Sequence, residues 1–136
     1  MIKQANSNSR SPITTSSQAA DFIREDLLSL DHEESWILLL TAARLPLVKK
    51  MITAGTLTTT QIDHRRILKE AILADAAAII LFHNHPSGIP LPSAADIRET
   101  DRLRQACSIF DISLLDHIII SDEQYYSFAD ESQRKF

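Results

Sequence analysis

Residues 77–96 decide the fold, and they read AAIILFHNHPSGIPLPSAAD. The first six are a short apolar run, which is typical of a strand buried on both faces of a sheet. The run ends in a polar loop whose three prolines exclude regular structure. Ser93 then predicts the N-cap of a helix that continues to Phe110. A buried strand that leads through a loop into a helix is the basic unit of an α/β domain.

Strand and helix patterns alternate along the rest of the chain. Apolar residues at three- and four-residue spacing are typical of helices, and short apolar runs are typical of buried strands. These patterns predict helices over 16–30 and 63–74, and strands over 36–40, 47–52 and 114–120. Ser16 or Ser17 is expected to cap the first helix. We therefore expect a layered α/β domain in which helices flank a mixed β-sheet.

The composition indicates one ordinary globular domain. The chain has 136 residues, of which 44% are hydrophobic and 24% charged. It has no apolar run near the roughly 20 residues of a membrane span and no apolar block of a secretory signal. Its one cysteine, Cys107, is expected to be a small buried residue. We therefore expect a cytoplasmic protein with flexible tails over 1–15 and 130–136, a first helix over 16–30 and the main domain over 31–129.

The net charge disfavours nucleic acid as a direct partner. Fourteen Lys and Arg residues stand against 18 Asp and Glu residues, which gives a formal charge of -4. Domains that grip phosphate backbones usually carry an excess of basic residues. Lys49-Lys50 and Arg65-Arg66 are pairs rather than clusters. Neither nucleic acid nor a membrane is therefore expected as a direct partner.

His83, His85 and Asp96 are the candidate metal ligands. Side chains two residues apart on an extended segment point to the same side, so both imidazoles can face one point. Asp96 lies in the first turn of the next helix, from which its carboxylate can reach back to the strand end. Zinc accepts two neutral imidazoles and a carboxylate, and three protein ligands leave a fourth position for water. The pattern predicts a Zn²⁺ site suited to hydrolysis.

Each of these residues also has a structural explanation. A His-Asn-His sequence occurs by chance, and loop histidines are often simply exposed. Ser93 and Asp96 fit a capping box, in which each side chain binds the backbone of the other. The cap explains the acid without a metal, but it leaves the two histidines unexplained. Of the other histidines, His117 is expected to be buried and hydrogen-bonded, whereas His32 and His64 are expected to be exposed.

The complete pattern of His83, His85, Ser93 and Asp96 resembles the motif of the JAMM metalloproteases. These are zinc isopeptidases with a JAB/MPN domain, a fold similar to that of the cytidine deaminases, whose paired cysteines this chain lacks. A resemblance to the RadC branch of the class covers about residues 31–129, and is carried by segments 55–57, 83–88, 92–93, 116–119 and 125–128. Full-length members add an N-terminal helix-hairpin-helix region. The short stretch before the domain suggests a single-domain form.

The resemblance implies a role for each site residue. His83, His85 and Asp96 would bind zinc, and Ser93 would hydrogen-bond the oxyanion or the attacking water. The family also uses an upstream glutamate as general base. Its position eight residues before Thr41 implies Glu33, with Glu34 as the alternative. The implied reaction is hydrolysis of a peptide or isopeptide bond in a protein substrate.

Two other functions are considered beside hydrolysis. The RadC name implies a DNA-repair or mobile-element accessory factor that acts with DNA or a DNA-bound protein, and the negative charge argues against unaided DNA binding. A domain of this fold that has lost its ligands can act as an interaction module. Every ligand position of the motif is filled here, which disfavours that function.

Overall fold

The computed structural model of the chain describes residues 11–54, 62–86 and 88–136. Its helices and strands are, in chain order, α1 (Ser16–Leu27), β1 (Glu34–Leu40), β2 (Pro46–Ala54), α2 (His64–Leu73), β3 (Ala78–Asn84), α3 (Ala94–Ile109), β4 (Ser113–Ser121), β5 (Gln124–Ser127) and β6 (Ser132–Lys135). Among the described residues, no helix has the length and apolar character that crossing a membrane requires.

The strands form one mixed sheet in the order β2-β1-β3-β4-β5-β6. β3 and β4 are parallel and are connected by α3, whereas all other neighbouring strands are antiparallel. The expected α/β domain with a mixed sheet flanked by helices is therefore confirmed. The carboxyl end of β3 meets the beginning of β1 at one edge of the sheet, because these two strands run in opposite directions.

The alternation of side chains on the central strands divides the core into two layers. Leu38 of β1 and Ile80 of β3 pack under α1, whereas Leu39 and Leu81 pack under α2 and α3. All seven residues of β3 are buried, as expected for a strand covered on both faces. His83 continues the odd-numbered series, so its side chain lies on the face that α3 covers.

The first helix has an earlier N-cap and an earlier end than its sequence pattern predicts. Thr15, rather than Ser16 or Ser17, is the N-cap, because its side chain accepts the N–H of Gln18 while the Gln18 side chain binds back to the cap backbone. This reciprocal pair satisfies two N–H groups that a serine at either later position would leave open. The helix ends at Leu27, short of residue 30.

The expected N-terminal tail includes a residue of the core. Ile13 is 8% exposed and packs in the layer under α1. Its N–H donates to the carbonyl of Arg44 at 2.9 Å. The prediction of a flexible segment is therefore wrong at Ile13, while residues 1–10 lie outside the described part of the chain.

The expected C-terminal tail is also wrong, because residues 132–135 form the edge strand β6 on β5. The ring of Phe136 then packs against Tyr125, with centroids 5.3 Å apart, and the Arg24 guanidinium lies 4.4 Å above it. An edge strand is held by one row of backbone hydrogen bonds and can keep a polar composition. The charged sequence of residues 132–135 therefore did not predict a strand.

Candidate metal centre

The candidate metal centre lies at the carboxyl end of β3. His83 is the next-to-last residue of that strand, His85 follows the strand directly, and Asp96 is in the first turn of α3. One ligand atom from each residue can be chosen so that all three lie within 4.8 Å of one another. The structure thus brings together the three residues that the sequence pattern singles out, in a cluster that could hold a metal ion.

The separations within the cluster fit the size of a zinc ion. The Nε2 atoms of His83 and His85 are 2.9 Å apart. The Asp96 carboxylate places Oδ1 3.5 Å from the first nitrogen and Oδ2 3.4 Å from the second. Two ligands bonded to a tetrahedral zinc ion at about 2.0–2.1 Å are about 3.3 Å apart. The distances between the donor atoms are therefore close to those of a tetrahedral site.

Two of the three candidate ligands are buried, and the third is partly exposed. The side chains of His83 and Asp96 are 4% and 2% exposed, whereas that of His85 is 15% exposed. Solvent therefore reaches the cluster past His85. A site that binds three protein ligands and admits water from one direction keeps a coordination position open.

The loop after β3 fixes the orientation of His85. Its Nδ1 atom is 2.9 Å from the carbonyl oxygen of Ile89, which can only accept, so Nδ1–H donates and Nε2 faces the cluster. Gly88 turns the loop back with a φ of +93°, and its N–H donates to the His85 carbonyl at 3.2 Å.

Asp96 serves in the capping box and in the cluster at the same time. Ser93 Oγ accepts the N–H of Asp96 at 3.0 Å, and the N–H of Ser93 donates to Asp96 Oδ2 at 2.8 Å. Ser93 is therefore the N-cap of α3, as the sequence predicts. The cap does not compete with the metal explanation, because it holds the same carboxylate toward both histidines.

The protonation equilibria favour a charged acid and a neutral buried histidine. Burial raises the pKa of Asp96, but His85, His83 and Ser93 outweigh burial and lower it below its ordinary value. Burial lowers the pKa of His83 to about 4. Burial also lowers the pKa of His85, but Asp96, the Ile89 carbonyl and Glu33 outweigh it and raise that pKa. The cluster therefore attracts positive charge on its exposed side.

Glu33 lies beside the cluster, just before β1 begins. The alternation along this strand places it on the same face as Ile37, which packs under α2 and α3. Burial raises the pKa of Glu33, with His85 lowering and Asp96 raising it through their charges. The half-buried carboxyl is thus close enough to interact with two of the candidate ligands.

Glu34 points away from the cluster. It falls on the opposite face, with Trp36, whose ring packs against the layer under α1. Its carboxylate accepts a hydrogen bond from Trp36 Nε1 at 3.0 Å and contacts His32 Nε2 at 2.7 Å. Of the two glutamates that the sequence leaves as alternatives, Glu33 is the one on the face of the candidate ligands, and its charge interacts with His85 and Asp96.

Sequence reasoning did not assign a role to Asn84, the residue between the two histidines. Its side chain is buried, with Oδ1 accepting the N–H of Glu34 at 2.7 Å and Nδ2 donating to the carbonyl of His32 at 2.8 Å. The signal was its position inside His-Asn-His at a strand end, where a polar side chain must find partners.

Thr100 and His117 lie behind His83 and are connected to it by hydrogen bonds. His117 Nε2 is 2.7 Å from His83 Nδ1, and His117 Nδ1 is 2.6 Å from Thr100 Oγ1. Burial lowers the pKa of His117 well below its ordinary value. The sequence predicts a buried, hydrogen-bonded His117, as observed, but it does not indicate that the partner is a candidate ligand.

The remaining histidines and the cysteine lie outside the cluster. The side chain of His32 is 43% exposed, as expected. The prediction for His64 is wrong, since its side chain is 20% exposed and its Nε2 lies 2.5 Å from Glu99 Oε2, which ties α2 to α3. Cys107 is buried on α3, and burial raises the pKa of its thiol to about 11. This environment favours the structural explanation for the cysteine.

The sequence is similar to known proteins over most of its length. The sequence model of a family described as RadC-like JAB domain matches residues 13–133. The UPF0758 protein of Desulforudis audaxviator is 41% identical over 115 residues, which are 85% of this chain and 50% of that protein. The UPF0758 protein of Leptothrix cholodnii is 41% identical over 120 residues, 88% of this chain and 54% of that protein.

A shorter relative gives a similar result. The UPF0758 protein YfjY of Escherichia coli K12 is 40% identical over 117 residues, covering 85% of this chain and 73% of that protein. The chain thus spans about half the length of the Desulforudis and Leptothrix relatives. None of these three names states an enzymatic function.

Proposed function

The chain belongs to the RadC-like JAB domain family, and from this membership and the geometry of the cluster we propose that it is a zinc-dependent metallohydrolase. Its substrate is a peptide or an isopeptide-linked protein. His83, His85 and Asp96 would hold the ion, Glu33 would act as general base and Ser93 would stabilise the oxyanion. A protein substrate is also compatible with the formal charge of -4.

The observation that carries the proposal is the convergence of electron-pair donors on one point. His85 commits its Nδ1 hydrogen to the Ile89 carbonyl, so a neutral ring presents only a lone pair at Nε2. That nitrogen lies 2.9 Å from His83 Nε2, and the charged Asp96 carboxylate is 3.4–3.5 Å from both. Lone pairs and a negative charge at these distances repel unless a proton or a metal cation lies among them.

The donor set supports zinc as that cation. Two imidazole nitrogens and one carboxylate oxygen are ligands that zinc binds readily, and magnesium and calcium prefer oxygen alone. When bound, zinc supplies Lewis-acid chemistry, which lowers the pKa of water to about 7 and polarises a carbonyl. The buried walls of the cluster strengthen such charge effects, because a low dielectric screens them less.

Glu33 would move the proton that hydrolysis requires. Its carboxylate accepts a proton from the attacking water and then delivers it to the nitrogen of the leaving amine. A general base works best when its pKa is near the operating pH, and burial shifts the pKa of Glu33 upward. Its position beside His85 and Asp96 supports this assignment.

Ser93 is suited to donate a hydrogen bond to the oxyanion. Its Oγ accepts the N–H of Asp96 in the cap, so the hydroxyl hydrogen itself is not used by that bond. Ser93 is also exposed, so a substrate carbonyl could reach its hydroxyl. A donor directed at developing negative charge is among the strongest contributions to acyl-transfer catalysis.

The test combines metal analysis with hydrolysis by the full chain. Elemental analysis of the purified protein should find about one zinc per chain after dialysis. Peptide and isopeptide-linked fluorogenic substrates should be cleaved by the zinc-loaded protein and not after chelation, with activity returning on addition of zinc. A protein that binds no zinc at micromolar free concentration would exclude this function.

A further inference from the structure

A chain of hydrogen bonds connects His83 to the backbone of Asp96. His83 Nδ1 is 2.7 Å from His117 Nε2, and His117 Nδ1 is 2.6 Å from Thr100 Oγ1. The Thr100 hydroxyl then donates to the Asp96 carbonyl oxygen at 2.6 Å. His83, Thr100 and His117 are 3%, 1% and 0% exposed. Two candidate metal ligands are thus linked through buried protein groups.

The hydrogen bond from Thr100 to the Asp96 carbonyl sets the donor and acceptor of the other two hydrogen bonds. A carbonyl oxygen only accepts, so the hydroxyl hydrogen of Thr100 is committed to Asp96. Thr100 Oγ1 must therefore accept from His117, which places a hydrogen on Nδ1 of His117. Burial in a low-dielectric interior disfavours an imidazolium, and a neutral His117 accepts at Nε2. The hydrogen between the two rings consequently belongs to His83 Nδ1.

We propose that His117 and Thr100 are positioning residues, which hold His83 in the tautomer that leaves the Nε2 lone pair free to bind a metal ion. This inference rests on the proposed metal function. A hydrogen-bond acceptor behind a metal-binding histidine fixes the ring orientation and the tautomer. For His85 the acceptor is the carbonyl of Ile89. For His83 it is a second histidine, whose own tautomer depends on Thr100.

The location of His83 explains why it needs a side-chain partner. His85 follows the strand and can reach a loop carbonyl, but His83 lies within β3 and pairs with Ser35 of β1 and Ile119 of β4. The backbone carbonyls around it belong to a sheet that is paired on both sides. The acceptor must therefore come from a neighbouring side chain, which β4 supplies.

The opposite tautomer of His83 would require every hydrogen bond in this series to reverse its direction. A hydrogen on His83 Nε2 would leave a lone pair on Nδ1, so His117 would have to donate from Nε2. Its Nδ1 would then need a donor, and the Thr100 hydroxyl hydrogen would turn away from the Asp96 carbonyl. Thr100 thus stabilises one tautomer of a histidine that it does not touch.

The direct test is nitrogen NMR on the full chain without metal at neutral pH. Nitrogen-15 shifts distinguish an imidazole nitrogen that carries a hydrogen from one that does not. We expect the hydrogen on Nδ1 in both His83 and His117. A hydrogen on Nε2 of metal-free His83 would overturn the inference. Because no metal is present, this result is separate from failure of the proposed function, which would appear as no zinc binding by the wild type.

A matched pair of variants tests the part played by Thr100. Thr100→Val removes the hydroxyl at nearly constant size, and Thr100→Ser retains it. We expect Thr100→Val to populate the other His83 tautomer and to weaken zinc binding by about 10–100-fold, measured by competition with a chromophoric chelator. Thr100→Ser should stay within a few-fold of wild type. Unchanged His83 shifts in Thr100→Val would overturn the role of Thr100, whatever the change in thermal stability.

A second pair tests His117 itself. Glutamine can place its amide oxygen near the position of Nε2, so His117→Gln should retain the Nδ1 hydrogen of His83, whereas His117→Leu offers no acceptor. We expect zinc binding to be weaker in His117→Leu than in His117→Gln. Equal affinity and equal His83 shifts in the two variants would contradict the proposal. The wild-type NMR result remains decisive if either variant does not fold.

Discussion

Asn84 hydrogen-bonds the backbone on both sides of Glu33. Its amide oxygen accepts from the residue that follows, and its amide nitrogen donates to the residue that precedes. Asn84 also lies between His83 and His85 on the strand end that carries the candidate metal site. One buried side chain therefore sets the distance between the candidate general base and the candidate ligands.

Replacing Asn84 should damage hydrolysis more than metal binding. Asn84→Leu removes both hydrogen bonds and frees the segment that carries Glu33, and a misplacement of about 1 Å can lower a rate by about 100-fold. We expect kcat to fall on that order in fluorogenic peptide cleavage, while zinc content stays near one per chain. Asn84→Asp, which keeps the acceptor but loses the donor, should lie between. Wild-type kcat in Asn84→Leu would contradict this role.

The two neighbouring glutamates should behave differently. Glu33→Gln keeps the shape of the side chain but removes its proton transfer, so hydrolysis should fall by about 10²–10⁴-fold while zinc is retained. Glu34→Gln is the matched control, since Glu34 contacts Trp36 and His32 away from the cluster. Parallel measurement of zinc content and cleavage rate decides the matter. Loss of cleavage in Glu34→Gln alone would reverse the assignment.

Substitutions of Asp96 should separate its role in the cap from its role in metal binding. Asp96→Asn retains an oxygen that can accept the N–H of Ser93 but removes the charge, whereas Asp96→Ala removes both. We expect both variants to lose zinc, but only Asp96→Ala to lose about 1 kcal/mol of unfolding free energy through the missing hydrogen bond to the Ser93 N–H. Urea unfolding and elemental analysis measure the two effects. Full zinc content in either variant would exclude Asp96 as a ligand.

Ser93 allows a similar separation. Ser93→Asp keeps a good N-cap acceptor for α3 but lacks the hydroxyl hydrogen, and Ser93→Ala lacks both. We expect hydrolysis to fall by about 10²–10³-fold in both variants, as for loss of one oxyanion donor. Only Ser93→Ala should unfold at lower urea concentration. Wild-type cleavage by Ser93→Asp would rule out hydrogen bonding to the oxyanion.

The metal-free protein should lose stability in acid over a defined range. The pKa of His83 is about 4 in the folded protein against an ordinary value of 6.5. Between these values the unfolded state binds more protons than the folded state. The contribution of neutral His83 to the free energy of unfolding is therefore complete above pH 6.5 and is lost as the pH falls toward 4. Its size is on the order of 3 kcal/mol. Urea unfolding in the presence of a chelator measures it.

The control for this pH dependence is His83→Gln. Other groups titrate in both proteins, so the difference between the two curves reports mainly on His83. The wild-type curve should fall more steeply than that of the variant between pH 6.5 and 4. Parallel curves would mean that His83 is not a neutral buried group in the metal-free fold.

The candidate ligands could be predicted because they belong to one local unit. His83, His85 and Asp96 lie within 14 residues, and a strand, a loop and a capped helix determine their directions. The partners behind them come from elsewhere in the chain. His117 reaches His83 only because β4 lies beside β3, and Asn84 reaches the segment before β1 only because β1 lies on the other side. Strand order is not encoded in local periodicity, so these contacts could not be predicted.

The errors in the predicted fold have the same origin. Polar residues 132–135 form a strand because β5 offers them a free edge, and His64 is partly covered because α3 brings Glu99 to it. Both outcomes depend on neighbours that are distant in sequence. The buried strand and the amphipathic helices, which have strong periodic patterns, were predicted within a few residues.

The capping box of α3 also determines how the centre should respond to repeated loading and unloading. The N–H of Ser93 holds the Asp96 carboxylate and the carbonyl of Ile89 holds the His85 ring, so protein groups orient both side chains. Small domains that fold only around zinc collapse when the ion is extracted. Here hydrogen bonds to the protein itself hold two of the three candidate ligands, so we expect the fold to survive removal of the ion. Chelation should then remove the ion, and with it the activity, reversibly and without a change in the fold.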